Sequence, residues 1–332
     1  EIVGGTCVNV GCVPTKHLIK LAEVYHQSHQ PRFKALSGNG LRLDFQQAIQ
    51  EKDLLVSSLR HNKYEDVLNS LPEVTFFKGK AKFSSPTEIT VNGETIKGKK
   101  FLIATGSSPF IPPLKGLDQI KYLTNEEALT LSYLPKSLIV LGGGPLGLEF
   151  AQMFAHFGTK VCVVQRAKQL LPRIEPEVAQ AITQYLLDDG VEICTGSEAL
   201  NVRQEGKEIV LTAKVGEEIR EYRGEEVLIA TGRKPNSSDL GLEAIGVQLG
   251  KRGEVVINKL QQTSLPHIYA AGDVRGEPML ETTAAKEGTI VAENALTGAQ
   301  NQIDYSLVPS CIFTTPEVAQ VGLTDAQAIA KG

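Results

Sequence analysis

Leu138-Ile139-Val140-Leu141-Gly142-Gly143-Gly144-Pro145-Leu146-Gly147 decides the fold. Four consecutive apolar residues read as a buried strand, and the glycines after them read as a tight turn that opens a helix. That helix carries Leu146, Phe150, Met153, Phe154 and Phe157 on one side and ends at Gly158. Residues 160–165 form a second apolar strand, so the stretch is a βαβ unit with G-x-G-x-x-G at its first turn. Gly142, Gly144 and Gly147 let backbone approach a pyrophosphate seated on the helix N-terminus. A dinucleotide site of the NAD type ends its second strand on an acid that bonds the ribose 2′-hydroxyl. Here that position is Gln165, followed by Arg166 and Lys168. A neutral residue followed by cations favours a 2′-phosphate, hence NADPH. The plainer alternative is a pair of solvated loop charges.

Outward from this unit, Leu134-Pro135-Lys136-Ser137 reads as a domain start. A further helix is expected over 176–189 and a β meander over 191–231, ending in Ile229-Ala230-Thr231-Gly232. The same ending occurs at Ile103-Ala104-Thr105-Gly106. That repetition suggests two similar nucleotide-binding domains, each closing on a strand and a glycine turn. Towards the N-terminus, residues 14–28 read as a helix with Pro14 in its first turn, and Asp44 could cap a long helix running to about Ser70. Short β signals follow at 74–77, at 88–91 before the turn pair Asn92-Gly93, and at 101–106. Alternating strands and helices argue for α/β layers with parallel sheets.

With 332 residues, 42% of them hydrophobic, the chain can bury two or three domain cores. A net charge of −4 offers no general basic field for nucleic acid. No apolar run reaches the roughly 18 residues of a membrane span. The five cysteines, Cys7, Cys12, Cys162, Cys194 and Cys311, are too few for a secreted disulfide framework, which points to a reducing, cytoplasmic setting. The chain starts at Glu1 and stops at Gly332 inside what reads as a new helix, so both ends are expected to be those of a fragment.

Gly4-Gly5-Thr6-Cys7-Val8-Asn9-Val10-Gly11-Cys12-Val13-Pro14-Thr15-Lys16 carries the most specific chemistry. Two cysteines separated by four residues at the start of a helix can meet as a strained, reducible disulfide. A helix N-terminus stabilises a thiolate on the nearer cysteine, which is Cys12. Two buried loop cysteines would be the bland reading; a zinc site would have only His17 at hand as a third ligand. His17, His26, His29, His61, His156 and His267 are scattered without triad or metal spacing and read as structural or exposed. Cys162 and Cys194 read as core, and Cys311 as core or substrate-side.

The thirteen-residue string resembles the redox motif of the class I flavoprotein pyridine nucleotide-disulfide oxidoreductases, and the resemblance extends over the whole chain. It implies two Rossmann-like α/β domains, for FAD and NADPH, with β meanders and the start of an α+β dimer-interface domain. The expected boundaries are 1–115 and 237–303 for the FAD-binding and central parts, 116–236 for the NAD(P)H domain, and 304–332 for the dimerisation domain. By the resemblance, Cys12 is the charge-transfer thiolate against the flavin and Cys7 the exchanging thiol. Lys16 lies one turn beyond Cys12 and Glu149 is its ion-pair partner; a helix-dipole acid is the alternative for Glu149. Gly5, Thr6, Lys16, Ala104, Thr105 and Gly106 match flavin-binding positions. In Ile268-Tyr269-Ala270-Ala271-Gly272-Asp273, Gly272 and Asp273 match the motif whose acid accepts from the ribityl hydroxyls. Gly232 and Arg233 match the second Ala-Thr-Gly run near the nicotinamide. Pro145 departs from the pattern where several relatives carry an aromatic gate.

The family's N-terminal FAD fingerprint should precede Glu1, and most of its dimerisation domain should follow Gly332, together with the residues that name the substrate. Asn62-Lys63-Tyr64, Phe101-Leu102-Ile103-Ala104-Thr105-Gly106, Val164-Gln165-Arg166 and Gly232-Arg233-Lys234-Pro235-Asn236 are similar to the mercuric reductase branch. On that reading electrons pass from NADPH through FAD to the cysteine pair, and Cys7 and Cys12 hold Hg(II) as substrate while it becomes Hg(0). Glu277-Pro278-Met279-Leu280 looks as much like dihydrolipoamide dehydrogenase, which leaves a thiol-substrate disulfide reductase, glutathione-reductase-like included, as the alternative. A redox-inactive nucleotide-binding module is the non-enzymatic one. The resemblance further implies a homodimeric full-length protein, with the present fragment poor in flavin and inactive.

Overall fold

The computed structural model describes residues 2–31, 33 and 35–332. The chain forms two compact units: Glu1–Gly5 with Asn62–Ser108 and Arg233–Ser310, and Thr6–His61 with Pro109–Gly232 and Cys311–Gly332.

The second unit is built on the βαβ pattern. Its parallel sheet runs in the order Glu226–Ile229, Ser137–Leu141, Lys160–Val164, Glu192–Cys194. Successive side chains on a strand point to opposite faces, so the apolar runs feed two cores. Leu138, Val140, Val161, Val163 and Leu228 pack on the side of the helices. Ile139, Leu141, Cys162, Val164, Val227 and Ile229 pack against an antiparallel meander of Ser197–Glu205, Glu208–Val215 and Glu218–Gly224. The meander expected over 191–231 is therefore confined to its middle. Its outer strands join the parallel sheet because Val227-Leu228-Ile229 is apolar on both faces, which only a strand covered on both sides can bury.

The glycine turn leads into helix Pro145–His156, with Pro145 in the first helical position, where its missing N–H costs nothing. Helix Cys12–His29 starts two residues earlier than expected and follows a short helix, Gly5–Val10, for which no element is expected from the sequence. Asp44 caps Phe45–Arg60 by accepting from the Gln47 N–H at 3.0 Å. The long helix expected to Ser70 is interrupted by a π turn at His61–Glu65 before Asp66–Asn69.

In the first unit, strands Ala81–Ser85, Glu88–Val91 and Glu94–Lys97 form an antiparallel sheet. Asn92 (φ 51°) and Gly93 (φ 87°) make the two-residue turn that Asn-Gly favours. The strand expected at 74–77 is not one. Val74, Phe76 and Phe77 are exposed, and the Lys78 carbonyl accepts from the Asn92 side-chain amide at 2.8 Å instead of from a ladder partner. β-propensity without a partner to pack on does not make a strand. Phe101–Ile103 pairs in parallel with Ile268–Ala270 over a core of Ile103, Val255, Ile268 and Val274. Among the described residues, no helix is long and apolar enough to cross a membrane.

Three helix ends of the second unit converge on Asp189. It accepts from Gln152 Nε2 at 2.7 Å and faces His156 Nε2 at 3.0 Å, while His26 Nε2 lies 3.6 Å away. The rings of His26 and His156 stack at 4.1 Å. These histidines, which read as unrelated in the sequence, thus form one structural cluster. Burial, then the neighbouring His156, pulls the His26 pKa below its ordinary 6.5. Burial works against Asp189, but hydrogen bonds from His156 and Gln152 hold its carboxyl below the usual range. The unfolded chain protonates His26 first as pH falls through about 6.5, so stability is lost below that point, and the Asp189 contribution is lost only below the carboxylate range. We expect Tm to be flat from pH 8 to 7 and to fall from about pH 6.5 to 5. His26→Phe, which keeps a stacked ring without a titrating nitrogen, should flatten that fall; an unchanged profile in scanning calorimetry would remove the cluster from the account.

Candidate active site and nucleotide turns

In the second unit, Cys7 lies within helix Gly5–Val10 and Cys12 is the first residue of helix Cys12–His29. Gly11 separates them, and a Cβ there would come within 2.8 Å of the Thr6 carbonyl oxygen, so the two helices meet at a position only glycine fits. The Gly11 carbonyl accepts from both the Thr15 N–H (3.1 Å) and the Thr15 hydroxyl (2.6 Å), closing the first turn. Asn125 donates to the Val10 carbonyl at 2.7 Å and Arg60 to the Asn9 side chain at 3.2 Å, which fixes the segment from two sides. Cys7 is half-buried and Cys12 exposed. Cys12 stands at the head of an 18-residue helix, where the helix dipole favours negative charge.

One turn further, Lys16 Nζ reaches Glu149 Oε2 at 2.6 Å. Glu149 is buried in helix Pro145–His156, and its other oxygen accepts from the Phe313 N–H at 2.9 Å. The Lys16 ammonium also sits 4.7 Å above the Phe313 ring. A buried carboxylate is costly without partners; Glu149 has a cation on one oxygen and a backbone donor on the other. Cys311 lies nearby in chemistry as well as in sequence: burial, then the carboxylates of Glu317 and Glu149, push its thiol up, with Lys16 opposing. The neighbouring Gln152 clamps Thr315 through both backbone groups, at 2.7 and 2.8 Å.

The glycine turn is built from close backbone approaches. Gly142 has φ 118°, and a Cβ there would meet the Ala230 carbonyl oxygen at 2.3 Å; one at Gly147 would meet the Gly142 oxygen at 2.0 Å. Nothing lies within 4 Å of a Cβ built at Gly144, which caps the helix. Gln165, just past the second strand, accepts from the Gly143 N–H through Oε1 at 3.3 Å. Arg166 and Lys168 are exposed. Gly232 accepts from the Phe110 N–H at 2.9 Å.

In the first unit, Asp273 is the second residue of a 3-10 turn, Gly272–Arg275, just past the end of strand Ile268–Ala270. The Ser107 hydroxyl donates to Asp273 Oδ2 at 2.5 Å and accepts from Arg233 Nε at 2.7 Å; Arg233 Nη2 donates to the Ser107 carbonyl at 2.7 Å. Thr105 and Asn236 exchange two hydrogen bonds, at 2.6 and 3.0 Å, and the Asn236 N–H donates to the Gly106 carbonyl. The first Ala-Thr-Gly run, of which Ala104 is exposed, is thereby tied to the Arg233–Asn236 run. Glu287, fully buried, accepts from the Gly272 N–H at 2.6 Å, from Tyr305 at 2.7 Å and from Arg275 at 2.5 Å. Arg275 stacks 4.4 Å from the Tyr305 ring, and burial followed by the Glu287 hydrogen bond pushes the Tyr305 hydroxyl up to about 12.

Sequence reasoning named Asp273, Gly272, Arg233 and Thr105 but missed Ser107, Asn236 and Glu287 as their supports. For Glu287 a signal existed: it lies on the stripe Thr283, Glu287, Ile290, Val291, Asn294, an acid on the buried face of a helix. Ser107 and Asn236 carry no such mark. The Glu287 cluster gives a test. Glu287→Ala leaves Arg275 buried without a counter-charge and should cost about 3–5 kcal/mol in urea unfolding. Glu287→Leu combined with Arg275→Leu should cost clearly less, because no charge is left behind; equal losses would mean that the pair is open to water.

The family profile described as pyridine nucleotide-disulphide oxidoreductase matches residues 1–288. A mercuric reductase of Lysinibacillus sphaericus is 42% identical over 99% of this chain and 60% of its own length. One of Streptomyces lividans is 41% identical over 99% of this chain and 70% of its own. The chain thus spans about three fifths of the first of these relatives. Among solved structures, the HOCl-induced flavoprotein disulfide reductase RclA from Escherichia coli superposes with a TM-score of 0.88 at 31% identity, covering all of this chain and 72% of that one. The strand–glycine turn–helix, the paired cysteines ahead of Lys16 and these matches together make the chain a member of the pyridine nucleotide-disulphide oxidoreductase family.

Proposed function

We propose that this chain supplies the dithiol and nucleotide-binding parts of a cytoplasmic, homodimeric, flavin-dependent oxidoreductase that uses NADPH to reduce Hg(II) to Hg(0). The observation that carries the reading is the Lys16–Glu149 ion pair, which joins the helix headed by Cys12 to the helix opened by the glycine turn. The residues fit the two organic groups. The turn 142–147 offers helix N-terminal N–H donors and an open side at Gly144 to a pyrophosphate, and Asp273 offers a carboxylate whose free lone pairs suit ribityl hydroxyls. Bound FAD would supply the two-electron relay between nicotinamide and dithiol.

The chain's own residues do the rest. Cys12 is held as thiolate by the head of its helix, and Cys7, half-buried on the preceding helix, is the thiol that exchanges with substrate. Both sulfurs, once deprotonated, are soft ligands for Hg(II). Lys16, paired with Glu149, places a cation one turn from Cys12. Gln165 and Arg166 receive the 2′-phosphate, Gly232 and Arg233 border the nicotinamide end, and Gly5, Thr6, Ala104, Thr105 and Gly106 line the flavin. Residues 116–236 are read as the NADPH domain, 1–115 with 237–303 as the FAD-binding and central parts, and 304–332 as the start of the dimerisation domain. Relatives named mercuric reductase at 42% and 41% identity support the substrate. A solved Cu(II) complex of RclA supports a metal ion at this type of protein.

In the full-length protein, Arg166→Ala should weaken NADPH selectively over NADH, by about 1.5–3 kcal/mol for a lost charge-assisted bond; equal losses would take Arg166 out of 2′-phosphate recognition. NADPH consumption should depend on Hg(II), and a higher kcat/KM for a disulfide substrate would move the assignment to the thiol-reductase branch. Cys12→Ser should abolish the long-wavelength thiolate-to-flavin absorption of the two-electron-reduced enzyme while Cys7→Ser keeps it. The reverse pattern would exchange the two roles.

A further inference from the structure

Outside the residues assigned above, the second unit holds another pair of thiols. Cys162 is on strand Lys160–Val164 and Cys194 at the end of the neighbouring strand Glu192–Cys194. The parallel register sets Cys162 opposite Glu192 and Val164 opposite Cys194. Residues opposite each other and two apart point to one face, so Cys162, Glu192 and Cys194 all face the meander side of the sheet. The two sulfurs are 3.9 Å apart, and Cys194 Sγ lies 3.7 Å from Glu192 Oε1. All three ligand atoms lie within 4.8 Å of one another. We propose that Cys162, Cys194 and Glu192 form a binding site for a thiophilic divalent cation of the zinc type.

The spacing selects the geometry. Two sulfurs bound at about 2.3 Å and at the tetrahedral angle are about 3.8 Å apart. A linear two-coordinate ion with similar bonds needs about 4.6 Å, so the arrangement suits a tetrahedral cation. Two thiolates and one carboxylate leave a fourth position for solvent or an added ligand. Cys162 is buried, Cys194 half-buried and Glu192 exposed, which gives the ion a way in from the sheet edge. Binding releases two protons as two thiols become thiolates and two metal–sulfur bonds form; no electrons move. A second grouping among the described residues, His26, His156 and Asp189, is already engaged within itself: its rings stack 17° apart, and Asp189 accepts from Gln152 and faces His156.

The test is Co(II) titration of the chain carrying Cys7→Ser and Cys12→Ser, which removes the other thiol pair. We expect one Co(II) per chain, a sulfur-to-cobalt charge-transfer band in the near ultraviolet and visible bands of tetrahedral intensity, all bleached by Zn(II), with two protons released per ion. Adding Cys194→Ser should abolish the charge-transfer band with the circular dichroism unchanged. Cys162→Val, which puts an apolar β-branched residue of similar size in the strand, should do the same. Glu192→Gln should keep the sulfur band and alter the visible ones. Absence of the charge-transfer band at saturating Co(II), or its survival in the Cys194→Ser chain, would overturn the proposal.

Discussion

The Lys16–Glu149 ion pair is the interaction on which the chemistry proposed for the second unit depends. Glu149 is buried, and it can be so only because a cation and a backbone N–H each take one of its oxygens. Lys16 is one turn from Cys12 along its helix, and Glu149 is one turn into the helix that begins at the glycine turn. The 2.6 Å bond thus joins the starts of the two helices, as the stacked rings of His26 and His156 join their ends. Phe313 adds a ring beneath the ammonium and a donor to the carboxylate, so the segment after Cys311 is held to the same pair.

The rest of the molecule repeats this device. Asp189 gathers Gln152, His156 and His26; Glu287 gathers Gly272, Arg275 and Tyr305. In each case one carboxylate holds several polar groups at once, which an apolar contact cannot do with the same directionality. Apolar burial supplies the driving force for the two units, and these carboxylates decide how the elements are turned within them.

How much of this was legible in the sequence follows from the range over which each signal acts. The strand at 137–141, the helix after it and the Asn92-Gly93 turn are local patterns, and they appear where the periodicity and turn chemistry put them. The strand expected at 74–77 was local too, but its propensity had no neighbour to satisfy it, and that information is not in the segment. The short helix at Gly5–Val10 was hidden because glycine, threonine and two β-branched valines are weak helix formers, and its close approach to Gly11 leaves no mark in the sequence. Pairing of Lys16 with Glu149, 133 positions apart, came from the family resemblance and not from any spacing. The meeting of Cys162 with Cys194 and of His26 with His156 depends on register and helix packing, for which the sequence carries no local mark.

Gln165 has one further consequence. Its side-chain oxygen closes the glycine turn by accepting from the Gly143 N–H, while on the proposed reading the same residue borders the ribose of the nucleotide. Cofactor choice and the shape of the phosphate loop are then a single variable. An acid at this position would keep the acceptor for Gly143 and strengthen it with a charge, so a shift in nucleotide preference would leave the loop's architecture intact. A basic residue would remove the acceptor and loosen the loop as it gained a phosphate contact. Evolution along this position is therefore expected to run between neutral and acidic side chains, with positive charge supplied by the next residue rather than by this one.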